Sequence, residues 1–233
     1  MSINRFALTA ALLVASGHVS AAVLYSQLDN ASGTNAVAQK VEAMSQEFDT
    51  EGADDFVIPN GTSWSISNVS VSHTGFNARS TVNVIFYTNN AGLPGTATCT
   101  YNALPATNNS GALAITLPTS CQLSAGTHWM GIQVNQDFSA GQVGWNTRST
   151  LSNNASAWRN PGNGFGSGCT TFAARTTCNG TGGVNNPDNL FSIEGSSTVA
   201  STEAIPTLSE WGMIILSSIM ALFAFAHYRR RGN

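Results

Sequence analysis

Four carboxylates lie within one short stretch, residues 49–55, and form the densest set of potentially reactive side chains in the chain. Such clusters suit Ca²⁺, which takes six to eight oxygen ligands and accepts loop carbonyls among them. The spacing is not that of an EF-hand loop, so two interpretations stay open: a calcium site or a solvated acidic turn. We expect no required cofactor, with Ca²⁺ as the optional one. The four residues are Asp49, Glu51, Asp54 and Asp55.

Three tryptophans in the second half of the chain offer a different chemistry. Trp129, Trp145 and Trp158 could line a surface on which sugar rings stack. Large aromatic side chains also fill cores and anchor long loops. We favour the core interpretation and keep glycan stacking as the alternative.

Candidates for catalysis are sparse in residues 23–204. This region contains two histidines, His73 and His128, without a nucleophile motif such as G-x-S-x-G beside either. A pair of carboxylates for glycoside hydrolysis would need two of Asp137, Asp188 and Glu194 to converge. No feature of the sequence marks any two of them as a pair, so we predict that the protein is not an enzyme.

The charge of the chain is low and negative. Charged residues make up 9% of the sequence, against about 25% in an average soluble domain. Eleven of the 12 acids and five of the nine bases lie in residues 23–204, which gives this region a net charge of −6. A surface of this kind lacks the basic footprint of nucleic-acid binding, so we predict no nucleic-acid partner.

The cysteines point to an oxidising compartment. All four fall in the same region, and an even number there predicts two disulfides. Three pairings are possible, of which we favour nearest-neighbour pairing, Cys99 with Cys121 and Cys169 with Cys178. A zinc site is the alternative, but no C-x-x-C spacing supports it.

Residues 23–195 read as strands separated by turns. Residues 81–87 alternate between two faces, as do residues 113–117 and 127–134. Trp64 and Ile66 are out of phase with Val69 and Val71, which predicts a β-bulge between the two pairs. The pattern predicts an all-β fold, an antiparallel β-sandwich resembling a jelly roll. Residues 196–204 read as a flexible linker, and residues 146–188 as long loops held by Cys169–Cys178.

One stretch before the first long strand is ambiguous. Val37, Val41, Met44 and Phe48 recur at nearly helical spacing. We predict an irregular segment that ends in a strand near residues 45–48.

The C-terminal 29 residues, 205–233, have a separate organisation. From Leu208 to Tyr228 the sole charged residue is Glu210, and a helix of this length spans about 30 Å, one bilayer core. We predict a membrane-spanning helix over residues 211–228, with aromatic residues at both interfaces. Arg229, Arg230 and Arg231 place its C-terminal end in the cytoplasm by the positive-inside rule.

The sequence just before and within this helix carries a family resemblance. It reads Ile205-Pro206-Thr207-Leu208-Ser209-Glu210-Trp211-Gly212. This resembles the IPTL-CTERM sorting tail of Gram-negative bacteria, whose pattern IPTLxxWG is met at Ile205, Pro206, Thr207, Leu208, Trp211 and Gly212. The resemblance implies that a membrane-embedded exosortase-type transpeptidase removes the helix. The alternative is a plain C-terminal anchor without processing.

The N-terminus agrees with export. Arg5 precedes a short apolar run, and small residues follow at Val19-Ser20-Ala21. This predicts a secretory signal peptide over residues 1–22, because the run is too short to span a membrane. We therefore expect an inner-membrane precursor with a periplasmic domain, which then moves to the cell surface or outside the cell.

The exported region shows a second, weaker resemblance. Ala53-Asp54-Asp55-Phe56 before Trp64-x-Ile66, and later Leu123-x-Ala125-Gly126-Thr127-x-Trp129, resemble bacterial choice-of-anchor β-sandwich domains. Surface display is what this resemblance implies. We predict a surface or extracellular-matrix component, with exopolysaccharide as its candidate partner. The alternatives are a carbohydrate-binding module and, third, a secreted hydrolase.

Overall fold

The computed structural model describes residues 21–109, 111–178, 185–199 and 208–231, with the backbone alone at 208–210. The chain divides into two compact units, Met1–Val199 and Ala200–Asn233. Most of the predicted signal peptide, residues 1–20, lies outside the described residues.

The described part of the first unit is built almost entirely from strands. They are β1 (Ala22–Ser26), β2 (Ala31–Val37), β3 (Gln39–Lys40), β4 (Glu51–Thr74), β5 (Thr81–Asn90), β6 (Leu93–Leu104), β7 (Thr107–Asn109), β8 (Ala112–Asn135), β9 (Gly144–Arg148), β10 (Ala157–Arg159), β11 (Ala173–Ala174), β12 (Asp188–Asn189) and β13 (Phe191–Val199). Short 3-10 helices lie at Ala43–Phe48, Phe138–Ala140 and Arg175–Thr177.

Two strands of 24 residues each, β4 and β8, form the antiparallel ribbon on which the unit is built. They pair in two segments, Gly52–Ile58 with Gly126–Ile132 and Ser63–Ser72 with Ala112–Ser124. The register breaks between Ile58 and Ser63, where Gly61 has a φ of +73°, a conformation that favours glycine. Residues 59–61 thus interrupt the pairing inside one long strand.

The two segments of the ribbon belong to different halves of a sandwich. β5 and β6 extend the half that contains Gly126–Ile132, whereas β13 and β1 extend the other half. Phe56 stacks on Trp64 across this interruption, with ring centroids 5.9 Å apart and planes 3° apart. Tyr25 of β1 reaches the same Phe56 at 6.2 Å. One antiparallel sheet therefore packs against itself, and the predicted β-sandwich is confirmed.

The alternation predicted for individual strands also holds. In β5, Val82, Val84 and Phe86 face the main core, whereas Ile85 and Tyr87 face a second, smaller one. Ile66 and Val69 both enter the main core although they are three positions apart, because the register shifts between Ile66 and Asn68. This shift is the predicted bulge.

Two details differ from the predicted architecture. Residues 43–48 form a 3-10 helix with no buried residue instead of ending in a strand. Met44 is 93% exposed, so the nearly helical spacing of the apolar residues does not mark a packed face. Residues 196–199 continue β13 and pair with Thr62–Ser65 of β4, so the sandwich extends to Val199 instead of yielding to a linker at 196. One pair, β3 with β8, is parallel.

Both disulfides form with the nearest-neighbour pairing. Cys99 on β6 bonds Cys121 on β8, and so joins the two halves of the sandwich. Cys169 bonds Cys178 and packs with Trp158 and Phe165, which holds the long loops predicted over residues 146–188.

Loss of the inter-half disulfide should destabilise the fold. The bond closes a loop with a sequence separation of 22, so the double substitution Cys99→Ala/Cys121→Ala is expected to lower the free energy of unfolding by about 3 kcal/mol. Urea unfolding of the oxidised full-length chain in detergent measures this. The matched control, Cys169→Ala/Cys178→Ala, opens a loop with a sequence separation of 9 and should lower the free energy of unfolding by slightly less. Unchanged unfolding midpoints would contradict the expectation.

Candidate functional site

The described part of the second unit is a single helix, α1, which spans Leu208–Arg231. Its 24 residues give a length of about 36 Å. Within the described residues, its segment Trp211–Arg231 is the one helix long and apolar enough to cross a membrane. Its side chains from Trp211 onward are exposed, so the apolar ones have no protein core to enter. Lipid is the solvent that such a surface suits.

The helix is longer at its C-terminal end than predicted. It continues through Arg229, Arg230 and Arg231, which occupy its last turn, instead of stopping at Tyr228. Arginine is a good helix former, and a cation in the last turn interacts favourably with the helix dipole. The arginine cluster is therefore a rigid continuation of the membrane segment.

The sorting motif lies at the start of this helix. Leu208 begins α1, and Trp211 and Gly212 lie in its first turns, whereas positions 205–207 fall outside the described residues. Two serines further along donate to the carbonyl of Ile214, Ser217 at 3.0 Å and Ser218 at 2.7 Å. These bonds satisfy both hydroxyls within the helix, which an apolar surrounding requires.

Two of the four predicted calcium ligands, Asp49 and Glu51, have separate partners within the protein. Oδ1 of Asp49 accepts the backbone N–H of Val41 at 2.8 Å. Glu51 accepts the hydroxyl of Tyr87 through Oε1 and forms an ion pair with Arg159 through Oε2. Burial, followed by the Glu51 charge, raises the pKa of Tyr87, so this hydroxyl stays a donor.

The other two, Asp54 and Asp55, point to opposite faces of β4, as neighbours on a strand do. Asp54 lies on the main-core face and is fully buried, whereas Asp55 turns to the loops and accepts Nδ2 of Asn154 at 2.6 Å. The structure does not bring the four carboxylates together. Among the described residues, no group of three or more acidic, histidine or cysteine side chains is placed to hold a metal ion.

Asp54 instead has a buried neighbour, Asp188, which lies in a distant part of the chain and which no sequence pattern pairs with it. Asp54 accepts Nε2 of Gln27 at 3.0 Å and the backbone N–H of Asn189 at 2.6 Å. Burial and the nearby Asp188 raise the pKa of Asp54 well above its usual range. Burial likewise raises the pKa of Asp188 to about 6. A buried carboxylate beside a second one is costly to ionise, which is why both pKa values rise.

Two of the few arginines border this acidic pair. Arg148 lies 3.5 Å from Oδ2 of Asp188 and also pairs with the exposed Asp29 at 2.9 Å. Arg175 is fully buried and donates to the hydroxyl of Ser156 at 3.0 Å and to backbone carbonyls of Asn186 and Asp188. Burial lowers the pKa of Arg175 to about 10. A buried arginine needs partners, and the scarcity of bases is the one feature of the sequence that indicates this arrangement.

The remaining candidates for catalysis lie on different elements. His73 is buried near the end of β4 beside Phe76, and burial lowers its pKa. His128 lies on β8, with Nε2 2.8 Å from the carbonyl of Ser124. Asp137 is exposed before the 3-10 helix Phe138–Ala140, and Glu194 lies on β13. The carboxylate that neighbours Asp188 is therefore Asp54 and not either of these two.

The three tryptophans, for which we favour the core interpretation over glycan stacking, are all interior. Trp129 and Trp158 are 0% exposed and Trp145 is 2% exposed. Trp129 faces outward from the sheet, but β10 and the loops around it cover that face. Each indole N–H donates a hydrogen bond: Trp129 to Oδ1 of Asn89, Trp145 to the carbonyl of Leu190, and Trp158 to the carbonyl of Val37. The exposed groove that sugar stacking needs is not formed by these residues, and their observed role is to fill cores.

A disulfide-bonded β-sandwich followed by a membrane-length helix with a basic end has the organisation of an exported protein with a C-terminal membrane tail. A family model described as the IPTL-CTERM motif matches residues 203–232, which confirms the resemblance seen in the sequence. That motif implies a secreted protein sorted through its C-terminal tail. The match covers the tail and not the sandwich. No curated protein matches the chain.

The dispersed carboxylates give an expectation for calcium. Because Asp49, Glu51, Asp54 and Asp55 each bind protein groups, we expect the melting temperature to be the same in EDTA as in millimolar CaCl₂. Differential scanning calorimetry of the full-length chain tests this. A higher melting temperature in CaCl₂ than in EDTA, abolished by Asp49→Asn, would instead establish a calcium site.

Asp55 gives an expectation for pH. Burial raises its pKa from 3.8 to about 6, so its contribution to stability is complete below pH 3.8 and is lost as the pH rises through about 6. Wild type should therefore gain on the order of 1 kcal/mol relative to Asp55→Asn on going from pH 7.5 to pH 5. Thermal unfolding of both proteins at the two pH values measures the difference.

Asp29 provides the control for this comparison. Its hydrogen bond from Arg148 lowers its pKa below 3.8, so both its folded and unfolded pKa values lie below pH 5. The stability difference between wild type and Asp29→Asn should stay constant between pH 5 and pH 7.5. Comparing each variant with wild type at the same pH also cancels the opposite contribution of His73. A constant difference for Asp55→Asn would contradict the expectation.

Proposed function

We propose that this protein is a non-enzymatic component of the cell surface or extracellular matrix, delivered by the exosortase-type pathway that reads its tail. The observation that carries the proposal is the IPTL-CTERM match over residues 203–232, on a membrane-length helix that ends in three arginines. The tail makes the protein a substrate of a membrane transpeptidase, and the helix holds the precursor in the inner membrane until the tail is removed.

The state of the polar side chains in the sandwich supports a non-enzymatic role. Asp54 and Asp188 are 0% exposed, so a substrate does not reach this carboxylate pair in the folded protein. Glu51 is occupied by Tyr87 and Arg159. Catalytic acids and bases have to touch the reacting atoms, and these side chains touch their own protein instead.

The fold supports endurance outside the cell. Two disulfides resist unfolding where no reducing system restores damaged protein. The two halves of the sandwich are one continuous sheet, so neither can separate without breaking the β4–β8 pairing. A durable module at a surface needs these properties more than it needs a flexible active site.

Processing of the tail can be tested directly in the native host. The double variant Pro206→Ala/Trp211→Ala alters two specified motif positions, and we expect it to accumulate as membrane-bound precursor that still ends at Asn233. Wild type should lack the helix, as intact-mass spectrometry of the envelope-bound protein will show. The matched control is Ser209→Ala/Glu210→Gln, at the two unspecified positions of the motif, and it should be processed like wild type.

The same measurement separates sorting from plain anchoring. If the mature wild-type protein in the envelope retains Asn233, the tail is an anchor and the transpeptidase has no part. If both double variants accumulate equally as precursor, the motif positions are not what the enzyme reads. Either result would refute the sorting part of the proposal while leaving export itself untouched.

A further inference from the structure

Two cations of the sandwich stand apart from the other three. Within the described residues, the side chains of Lys40 and Arg79 form no ion pair and no hydrogen bond, whereas each remaining arginine of the sandwich does. Lys40 and Arg79 are both exposed and line one cleft. In a region with so few positive charges, the two without partners line the same cleft.

The cleft is of ligand size and of polar character. Its volume is about 490 Å³, within the range of small-molecule sites. Its walls carry hydroxyl, amide and charged groups, and Val41 is the largest apolar side chain in the lining, which differs from the aromatic lining of most such sites. The lining residues are Lys40, Val41, Asn77, Arg79, Ser80, Asn135, Gln136, Asp137, Ser139 and Ala140.

Two buried glutamines fix the shape of the cleft from below. Gln136 is 5% exposed; its Nε2 donates to the carbonyls of Gly75 and Gly141 at 3.0 Å each, and its Oε1 accepts the N–H of Asn77 at 2.9 Å. Gln39, 1% exposed, donates to the carbonyl of Gln136 at 2.6 Å. These bonds connect the chain segments that border the cleft, so the cleft exists before a ligand arrives.

The positions of the two cations follow from this framework. Oδ1 of Asn77 accepts the N–H of Arg79 at 3.0 Å, a local turn that presents Arg79 at the cleft. Lys40 ends β3, whose parallel pairing with Val134 and Asn135 of β8 holds it at the same cleft. Two cations that line one preformed cleft suit a single anionic group.

The charge of the lining selects the sign of the ligand. Lys40 and Arg79 outnumber Asp137, so the cleft is locally positive on a region whose net charge is −6. A neighbouring cleft of about 580 Å³ shares Lys40 but also contains Glu47, Asp49 and Glu51, which repel anions. An acidic ligand is therefore directed to the Arg79 side of Lys40.

We propose that the Lys40–Arg79 cleft binds a carboxylate-bearing sugar unit, such as a uronic acid residue of an acidic polysaccharide. Lys40 and Arg79 would take the carboxylate by charge-assisted hydrogen bonds. Ser139, Asp137 and the side-chain amide of Asn77 offer exposed polar groups to the sugar hydroxyls. The inference rests on the proposed function, because a surface or matrix component meets such polymers outside the cell.

Calorimetric titration of the full-length chain in detergent tests the site with three probes: tetragalacturonate, maltotetraose and inorganic phosphate. We expect the uronate to bind, and to bind less tightly as salt rises, while neutral maltotetraose does not bind. Arg79→Gln and Lys40→Gln should each weaken uronate binding about tenfold, the usual effect of one lost charge-assisted contact. Arg79→Lys, which keeps the charge, should retain most of the affinity.

A matched control separates the cleft from overall charge. Ala114→Glu/Gln122→Glu adds two negative charges at exposed positions of β8, the same net change as Lys40→Gln/Arg79→Gln, and should leave uronate binding unchanged. Absence of uronate binding, equal loss in both double variants, or tighter binding of phosphate than of uronate would each overturn the proposal. Thermal unfolding confirms that the variants are folded.

The outcome is independent of the test of sorting. A wild-type protein that is processed at its tail but does not bind tetragalacturonate refutes the cleft and leaves the proposed function standing. A protein that binds the uronate through Lys40 and Arg79 but retains Asn233 refutes the processing and leaves the cleft standing.

Discussion

The pairing of β4 with β8 is the constraint on which the rest of the sandwich depends. Because the pairing shifts between Ile58 and Ser63, one ribbon supplies adjacent strands to both halves, and Phe56 and Trp64 meet across that shift. β5 pairs with β8 and β13 pairs with β4, and β6 and β1 pair in turn with these two strands. The Cys99–Cys121 bond then ties β6 back to the far segment of β8. The core is thus closed by backbone pairing on one side and by a covalent bond on the other.

Scarcity of charge explains how the polar groups are distributed. An ionised side chain inside a protein needs partners, and the sandwich has five bases with which to supply them. Arg148 and Arg175 are placed beside the buried Asp54–Asp188 pair, and Arg159 beside Glu51. With these three bases engaged by protein partners, Lys40 and Arg79 remain the exposed positive charges of the described sandwich, and both border one cleft.

Strand periodicity and cysteine arithmetic anticipated much of the fold, because both depend on local spacing. Local spacing predicted the two faces of residues 81–87, the bulge after Ile66 and both disulfides. The strand pattern did not predict the segments that cover Trp129 or the proximity of Asp54 to Asp188, since each brings together parts of the chain that are far apart in sequence. A strand pattern cannot tell an exposed outer face from one that a distant loop covers. For the same reason the acidic run looked like one site, although its members turn to opposite faces. The choice-of-anchor resemblance of the sandwich stays a prediction.

Location and folding are linked in this protein by chemistry. The disulfide that joins the two halves needs an oxidising compartment, so the complete sandwich is expected only after export. The charge at the C-terminal end of α1 opposes export of that end, since three arginines resist transfer across the membrane. We propose that this end of the chain stays at the cytoplasmic face while the sandwich folds after export. A tail of 30 residues can carry this instruction independently of the sandwich because it depends only on apolar length, terminal charge and a short recognised motif. The ligand of the sandwich, by contrast, depends on side chains that only the completed fold brings together.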